Sequence, residues 1–159
     1  MAKDSQLTAV RKTLELEEHK ALQHYSEIDR VVRERRESLD VTKARQQALK
    51  KKLLDLAQKH RMNALQGGEV AQLAGIDRYA GRLRKELAEV DELVASKQQE
   101  LDRALERAKL ADEDLVKARL ERKRIERFID ERSLQEKVLG AAVEEALLDE
   151  MSSFRRGDK

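Results

Sequence analysis

Histidines and acidic pairs are the residues of this 159-residue chain that could do chemistry. His19 and His24 lie five residues apart, so on a helix they would point about 140° apart, which is poor geometry for sharing a metal ion. His60 is isolated, which favours a packed histidine over a ligand. The acidic run at residues 112–114 lacks the glycine-containing loop of a calcium site. We therefore expect no catalytic residue, no metal and no cofactor, and we expect that the chain is not an enzyme.

Gly67 and Gly68 are the only adjacent glycines, and a glycine-rich turn can bind phosphate. Such loops follow the patterns G-x-x-x-x-G-K-[ST] or G-x-G-x-x-G after a strand, and neither pattern occurs here. Inside a helix the two glycines would each cost about 1 kcal/mol. The pair instead predicts a turn, with Gly67 as a left-handed helix cap and Glu69 at the start of the next helix, where negative charge is favoured.

The composition excludes several classes of protein. Charged residues make up 42% of the chain and aromatic residues 3%, and Pro, Cys and Trp are absent. High charge with few aromatics is typical of disorder, but the 34 basic and 32 acidic residues nearly cancel and the apolar residues are periodic, which favours a coiled coil. No apolar run approaches the roughly 20 residues of a membrane span. The balanced charge does not predict nucleic-acid binding.

Two tracts of heptad repeats organise the chain. Apolar residues alternate at spacings of three and four from Leu7 to Leu56, and again, more regularly, from Leu73 to Ala146. This spacing keeps one seam of a helix facing a partner. The sequence therefore predicts an all-α fold, a long antiparallel coiled-coil hairpin of two helices with the second helix longer than the first.

The predicted hairpin is a single domain over residues 1–159. It has a helix at about 4–63, a turn at about 64–70, a helix at about 71–150 and a tail at 151–159. Pairing about the turn places Leu39 opposite the Ser96 region and Leu56 opposite the Tyr79 region. The second helix is expected to extend beyond its partner from about Arg132 onward.

Some seam positions leave two interpretations open. Arg35, Thr42 and Gln46 are polar residues in the first tract, and polar seam residues commonly fix the register of a coiled coil. They could instead make the middle of the hairpin soft. The alanines between Ala104 and Ala118 are similarly ambiguous, because small side chains either let helices approach closely or leave the seam thin.

Two surfaces have a composition that suggests binding. The stretch KARLERKRIER, residues 117–127, holds six basic and two acidic residues, which predicts either a solvated flank or a contact with an acidic partner. Apolar residues also concentrate around the turn. Several of these fall outside the predicted seam and are expected to be exposed or covered by a partner: Leu54, Ala57, Met62, Leu65, Val70 and Tyr79.

The two ends of the chain resemble FliJ-type proteins. Near the start the similarity lies in LTAVRKTLELEEHKA, residues 7–21. Near the end it lies in ERKRIERFIDER, residues 121–132, and in EEALLDEMSSFRR, residues 144–156. The chain departs from the family pattern in lacking an aromatic residue before Leu7. The YscO-type stalks of injectisomes are similar too, so both the flagellar and the type III secretion systems stay open.

The resemblance implies a non-enzymatic stalk of a bacterial protein-export apparatus, which links the hexameric export ATPase to the membrane export gate. It implies a cytoplasmic protein, peripheral to the membrane-embedded apparatus and without membrane insertion or nucleic-acid binding, with export chaperones as further possible partners. The implied ATPase contacts are Arg119, Arg122, Lys123, Arg124 and Arg127. The implied gate contacts are Leu53, Leu56, His60, Tyr79 and Leu83. The main alternative is a structural coiled-coil scaffold or spacer that self-associates.

Overall fold

A computed structural model describes residues 2–157, with side chains for residues 5–154. Helix α1 spans Ala2–Leu65 and helix α2 spans Val70–Gly157. They contain 64 and 88 residues respectively, and no strand occurs within residues 2–157. The prediction of an all-helical chain with a longer second helix is confirmed.

Gly67 and Gly68 end α1 in the manner predicted. Gly67 has a φ of 71°, in the left-handed region that glycine adopts without a steric penalty. The Gly68 amide donates to the Asn63 carbonyl at 2.8 Å and the Gly67 amide to the Ala64 carbonyl at 3.4 Å, which is the Schellman pattern. A Cβ atom at Gly68 would lie 2.9 Å from the Asn63 oxygen. The two glycines are therefore needed for different reasons, one for its conformation and one for space.

The second helix continues beyond the predicted end near residue 150. It reaches Gly157, so most of the predicted tail is helical, and residues 158–159 lie outside the described residues. The Ser152 and Ser153 hydroxyls donate to the Asp149 and Glu150 carbonyls at 2.9 and 2.8 Å. These local bonds satisfy the serine hydroxyls, and the helix continues through both residues.

Contacts within the chain define two compact units. Of the described residues, 24–111 form one unit, here called the turn unit because it contains the turn. Residues 2–23 and 112–157 form the other, here called the terminal unit. In each unit, residues of α1 pack against residues of α2.

The turn unit holds the apolar core, in two clusters of side chains from both helices. Each cluster combines branched residues of α1 with residues of α2 at heptad spacing, as the seam predicted. The first consists of Val32, Leu39, Leu101 and Ala104, with Ile28, Val94 and Ala108 against it. The second consists of Leu49, Leu83 and Val90, with Leu53, Leu56, Leu87 and Val94 against it. The burial of Ala104 favours close approach of the helices over a thin seam.

Polar seam residues of the turn unit find partners. Thr42 is buried, and its hydroxyl donates to the Ser38 carbonyl at 2.8 Å. Gln46 donates to the Asp91 carboxylate at 2.6 Å, and Arg35 reaches Glu100 at 2.6 Å. The Thr42 bond lies within α1, but the cross-helix bonds of Gln46 and Arg35 favour the interpretation that polar positions fix register.

One contact in the turn unit bears on the predicted pairing of the two helices. The Lys97 ammonium donates to the Ser38 hydroxyl at 2.5 Å, one residue away from the predicted pairing of Leu39 with the Ser96 region. In the terminal unit, Leu7 and Ile129 line the same groove of about 210 Å³.

Candidate partner-contact surfaces

The basic segment, residues 117–127, lies on α2 in the terminal unit, and two of its arginines are engaged within the molecule. The Arg122 Nε donates to a Glu18 carboxylate oxygen, and its Nη1 donates to Glu126 Oε1 at 2.6 Å. Arg119 lies 3.4 Å from the other Glu18 oxygen. The hydrogen bond to Glu18 and the nearby Glu126 charge raise the pKa of Arg122. Arg122 and Arg119 therefore connect α2 to α1, whatever else they contact.

The other basic candidates are placed differently. Lys123, Arg124 and Arg127 are exposed, and none of them forms an ion pair within 4 Å among the described side chains. Three cations are thus presented to solvent along one turn and a half of helix. Of the five predicted ATPase contacts, two are arginines that pair with carboxylates of the same chain. The other three are cations that are available to a partner.

The turn end of the turn unit presents apolar side chains, as predicted. Tyr79 is 44% exposed, and the Arg82 guanidinium lies 6.0 Å from the centre of its ring, at the outer limit of a cation–π contact. The predicted exposure of the other residues outside the seam is confirmed for Leu54, Ala57, Met62, Leu65 and Val70.

The predicted gate contacts also differ among themselves. Leu53, Leu56 and His60 are half-buried and line an open groove of about 220 Å³, where the His60 Nε2 atom lies 3.5 Å from Asp77 Oδ1. Tyr79 and Leu56 line a neighbouring groove of about 530 Å³. Leu83 is only 5% exposed and belongs to the core cluster, so it supports this surface from below and does not form part of it.

The requirements of a metal site, a membrane span and a buried ligand site can also be compared with the described part of the chain. No group of three or more His, Cys, Asp or Glu residues there could hold a metal ion. Neither helix, over its described length, contains a stretch apolar enough to cross a membrane. Every buried side-chain nitrogen or oxygen that the structure describes has a hydrogen-bond partner, so no unsatisfied polar group points to a missing ligand.

The acidic segment, residues 133–154, is a surface that was not predicted from the sequence. Every side chain in it is exposed, and it carries five acidic residues and one basic residue. Its charge is therefore opposite to that of the basic segment on the same helix. The sequence already contains this signal, because the segment has a single basic residue, Lys137, and five acidic ones: Glu136, Glu144, Glu145, Asp149 and Glu150.

No family model, curated protein or solved structure matches this chain. The two surfaces and the resemblance of the chain ends are therefore the features that bear on function. Of these, the surfaces can be tested directly by substitution.

Proposed function

We propose that α1 and α2 form an antiparallel coiled-coil hairpin. Supporting this, Arg45 bonds to Glu86 and Arg35 to Glu100, so a residue farther back along α1 meets one farther forward along α2. Heptad spacing of the buried residues and the tight glycine turn are consistent with the same arrangement.

The function that these surfaces support best is a non-enzymatic stalk of a bacterial protein-export apparatus. In this proposal the protein is a FliJ- or YscO-type stalk in the cytoplasm, joining the hexameric export ATPase to the membrane export gate, with export chaperones as further partners. The observation that carries the proposal is the exposure of Lys123, Arg124 and Arg127 within the segment that resembles the family. A cluster of cations without internal partners is suited to an acidic protein surface.

The ATPase contact is tested by reversing only the available cations. The variant Lys123→Glu, Arg124→Glu, Arg127→Glu is expected to lose co-purification with the export ATPase of the same organism. Arg122 is left unchanged, because Arg122→Glu would place a second carboxylate beside Glu18 and confuse loss of binding with loss of structure.

A matched control carries the same charge change elsewhere. Lys50, Lys51 and Lys52 are three exposed cations of the turn unit, and their reversal to Glu is expected to leave co-purification intact. Circular dichroism must show equal helicity for both variants. Undiminished ATPase binding by the first variant, or equal loss in both, contradicts the assignment of the contact.

The gate contact is tested at the turn end. Tyr79→Ala removes an exposed aromatic side chain and is expected to weaken binding to the cytoplasmic part of the gate protein while ATPase binding survives. Val41→Ala, at an exposed apolar position of the same unit, is the control and is expected to bind normally. Gate binding by Tyr79→Ala at the strength of the unaltered chain would refute this role for the turn end.

A further inference from the structure

Helix α2 carries a second heptad seam in addition to the one that faces α1. Its positions alternate at spacings of four and three without interruption over residues 116–151, and all of them are exposed. The seam consists of Val116, Leu120, Lys123, Arg127, Asp130, Leu134, Lys137, Ala141, Glu144, Leu148 and Met151. A heptad seam without a partner helix is the feature that coiled coils use to associate.

This second seam carries charged residues on both sides of Leu134, namely Lys123, Arg127 and Asp130 before it and Lys137 and Glu144 after it. Before Leu134 the seam passes through the basic segment, which holds six basic and two acidic residues, and from Leu134 onward it lies in the acidic segment, which holds five acidic and one basic. The two segments as a whole carry net charges of +4 and −4, whereas the seam positions themselves sum to +1 before Leu134 and to zero after it. A partner helix that matches this seam needs carboxylates facing Lys123 and Lys137 and cations facing Asp130 and Glu144.

We propose that the partner is a second copy of this chain, bound antiparallel through the second seam of α2. With Leu134 on the twofold axis, Val116 faces Met151 of the other copy and Leu120 faces its Leu148. The same register sets Lys123 against Glu144. Because the contact is isologous, each of these pairs occurs twice.

The remaining positions of this register are also compatible. Asp130 faces Lys137, and the aliphatic part of Arg127 faces Ala141. The interface therefore has apolar contacts at its centre and at both ends, with ion pairs between them. A parallel pair would instead set each seam residue against its own copy, so that Lys123, Arg127 and Glu144 would each face a like charge, which is destabilising.

The proposal does not depend on the stalk function, but it uses some of the same side chains. Lys123 and Arg127 belong both to the second seam and to the proposed ATPase contact. Self-association and ATPase binding are therefore expected to compete, because the dimer covers Lys123 and Arg127.

The first experiment is disulfide trapping of the full chain, which has no native cysteine. Leu134→Cys places two thiols at the twofold axis and is expected to give a covalent dimer under mild oxidation. Leu110→Cys is the control, because Leu110 is similarly exposed, at 61% against 64% for Leu134, but lies outside the proposed interface. Equal cross-linking of the two variants would overturn the proposal.

The second experiment tests the direction of the pairing by charge reversal and sedimentation equilibrium. Lys123→Glu and Glu144→Lys are each expected to raise the dimer dissociation constant at least tenfold. The double variant restores the ion pair with its sign exchanged and is expected to recover most of that loss. A monomer at all concentrations in the unaltered chain, or a double variant no better than the singles, overturns the proposal. Loss of ATPase binding with dimerisation retained bears on the stalk function alone.

Discussion

The turn unit and the terminal unit are built from the same two helices but are held together by different interactions. In the turn unit, two clusters of buried Leu, Val and Ala residues join α1 to α2. In the terminal unit, Leu115 is the one buried apolar side chain outside the masked positions, and ion pairs around Glu18 connect the helices. Apolar burial contributes more stability than half-exposed ion pairs, so the turn unit is expected to supply most of the stability. The terminal unit is expected to supply most of the charged contacts that a partner could replace.

The largest expected effect comes from removing a core side chain of the turn unit. Leu39→Ala deletes a residue that is 3% exposed and is expected to lower the free energy of unfolding by about 2–4 kcal/mol. Leu139→Ala, at a position 65% exposed in the terminal unit, is the matched control and is expected to change it by less than about 0.5 kcal/mol. Urea denaturation followed by circular dichroism measures both. Similar losses would mean that the two units share one core.

The turn, which lies in the turn unit alone, is expected to give the second-largest effect. Gly67→Ala forces a Cβ into the left-handed region and is expected to destabilise the chain by about 1–2 kcal/mol. Gly75→Ala, where nothing lies within 4 Å of the added atom, is expected to stabilise α2 by about 0.5–1 kcal/mol because alanine is the better helix former. Thermal unfolding midpoints that move in opposite directions would support this account, and midpoints that fall together would contradict it.

The ion pairs of the terminal unit give a smaller effect that depends on salt. Glu18→Gln removes the carboxylate shared by Arg119 and Arg122 and is expected to cost up to about 1 kcal/mol at low salt and less at high salt. Glu34→Gln breaks only a highly exposed pair with Arg30 and is expected to cost about 0.3 kcal/mol. Equal effects would remove any special role for Glu18.

The pH dependence of this contact follows from Arg122. Because its pKa is raised in the folded chain, the stabilisation from this group is complete below the pKa of the unfolded state and is lost only as the pH rises through the folded value. For Arg both values lie at strongly alkaline pH. The Glu18→Gln effect is therefore expected to stay constant between about pH 6 and pH 9, as measured by urea denaturation across that range.

The smallest effect is expected at Thr42. Thr42→Val keeps the shape of a buried seam residue and removes a hydroxyl bonded to the Ser38 carbonyl, which already accepts a bond from its own helix. The substitution is expected to stabilise the turn unit by about 0.5 kcal/mol. A loss of more than 1 kcal/mol would show that the hydroxyl contributes to the pairing of the helices.

Local patterns carried most of the information about the fold. Heptad spacing predicted the two helices and the core positions, and Gly67 with Gly68 predicted the turn, because these features depend on residues a few positions apart. The end of α2 was placed too early near residue 150, since Ser152 and Ser153 suggested a tail. In the structure their hydroxyls donate to carbonyls three residues back, within a helix that continues to Gly157.

The candidate surfaces were less predictable. Which arginines of the basic segment are free depends on Glu18, which is 104 residues away from Arg122 in the sequence, and no local pattern encodes that contact. The placement of Leu83 among the surface candidates was wrong although its heptad position predicted burial, and Leu83 packs in the core cluster that contains Leu49.

The tight turn also has a consequence for the order in which the chain folds. Arg45 and Glu86 are 41 residues apart, whereas Glu18 and Arg122 are 104 apart, so closing the second contact from an unfolded chain costs about 0.8 kcal/mol more loop entropy. The apolar clusters lie among the nearer contacts. Folding is therefore expected to start with the contacts beside the glycines and to continue with contacts farther from the turn. The terminal unit is expected to form last and to unfold first.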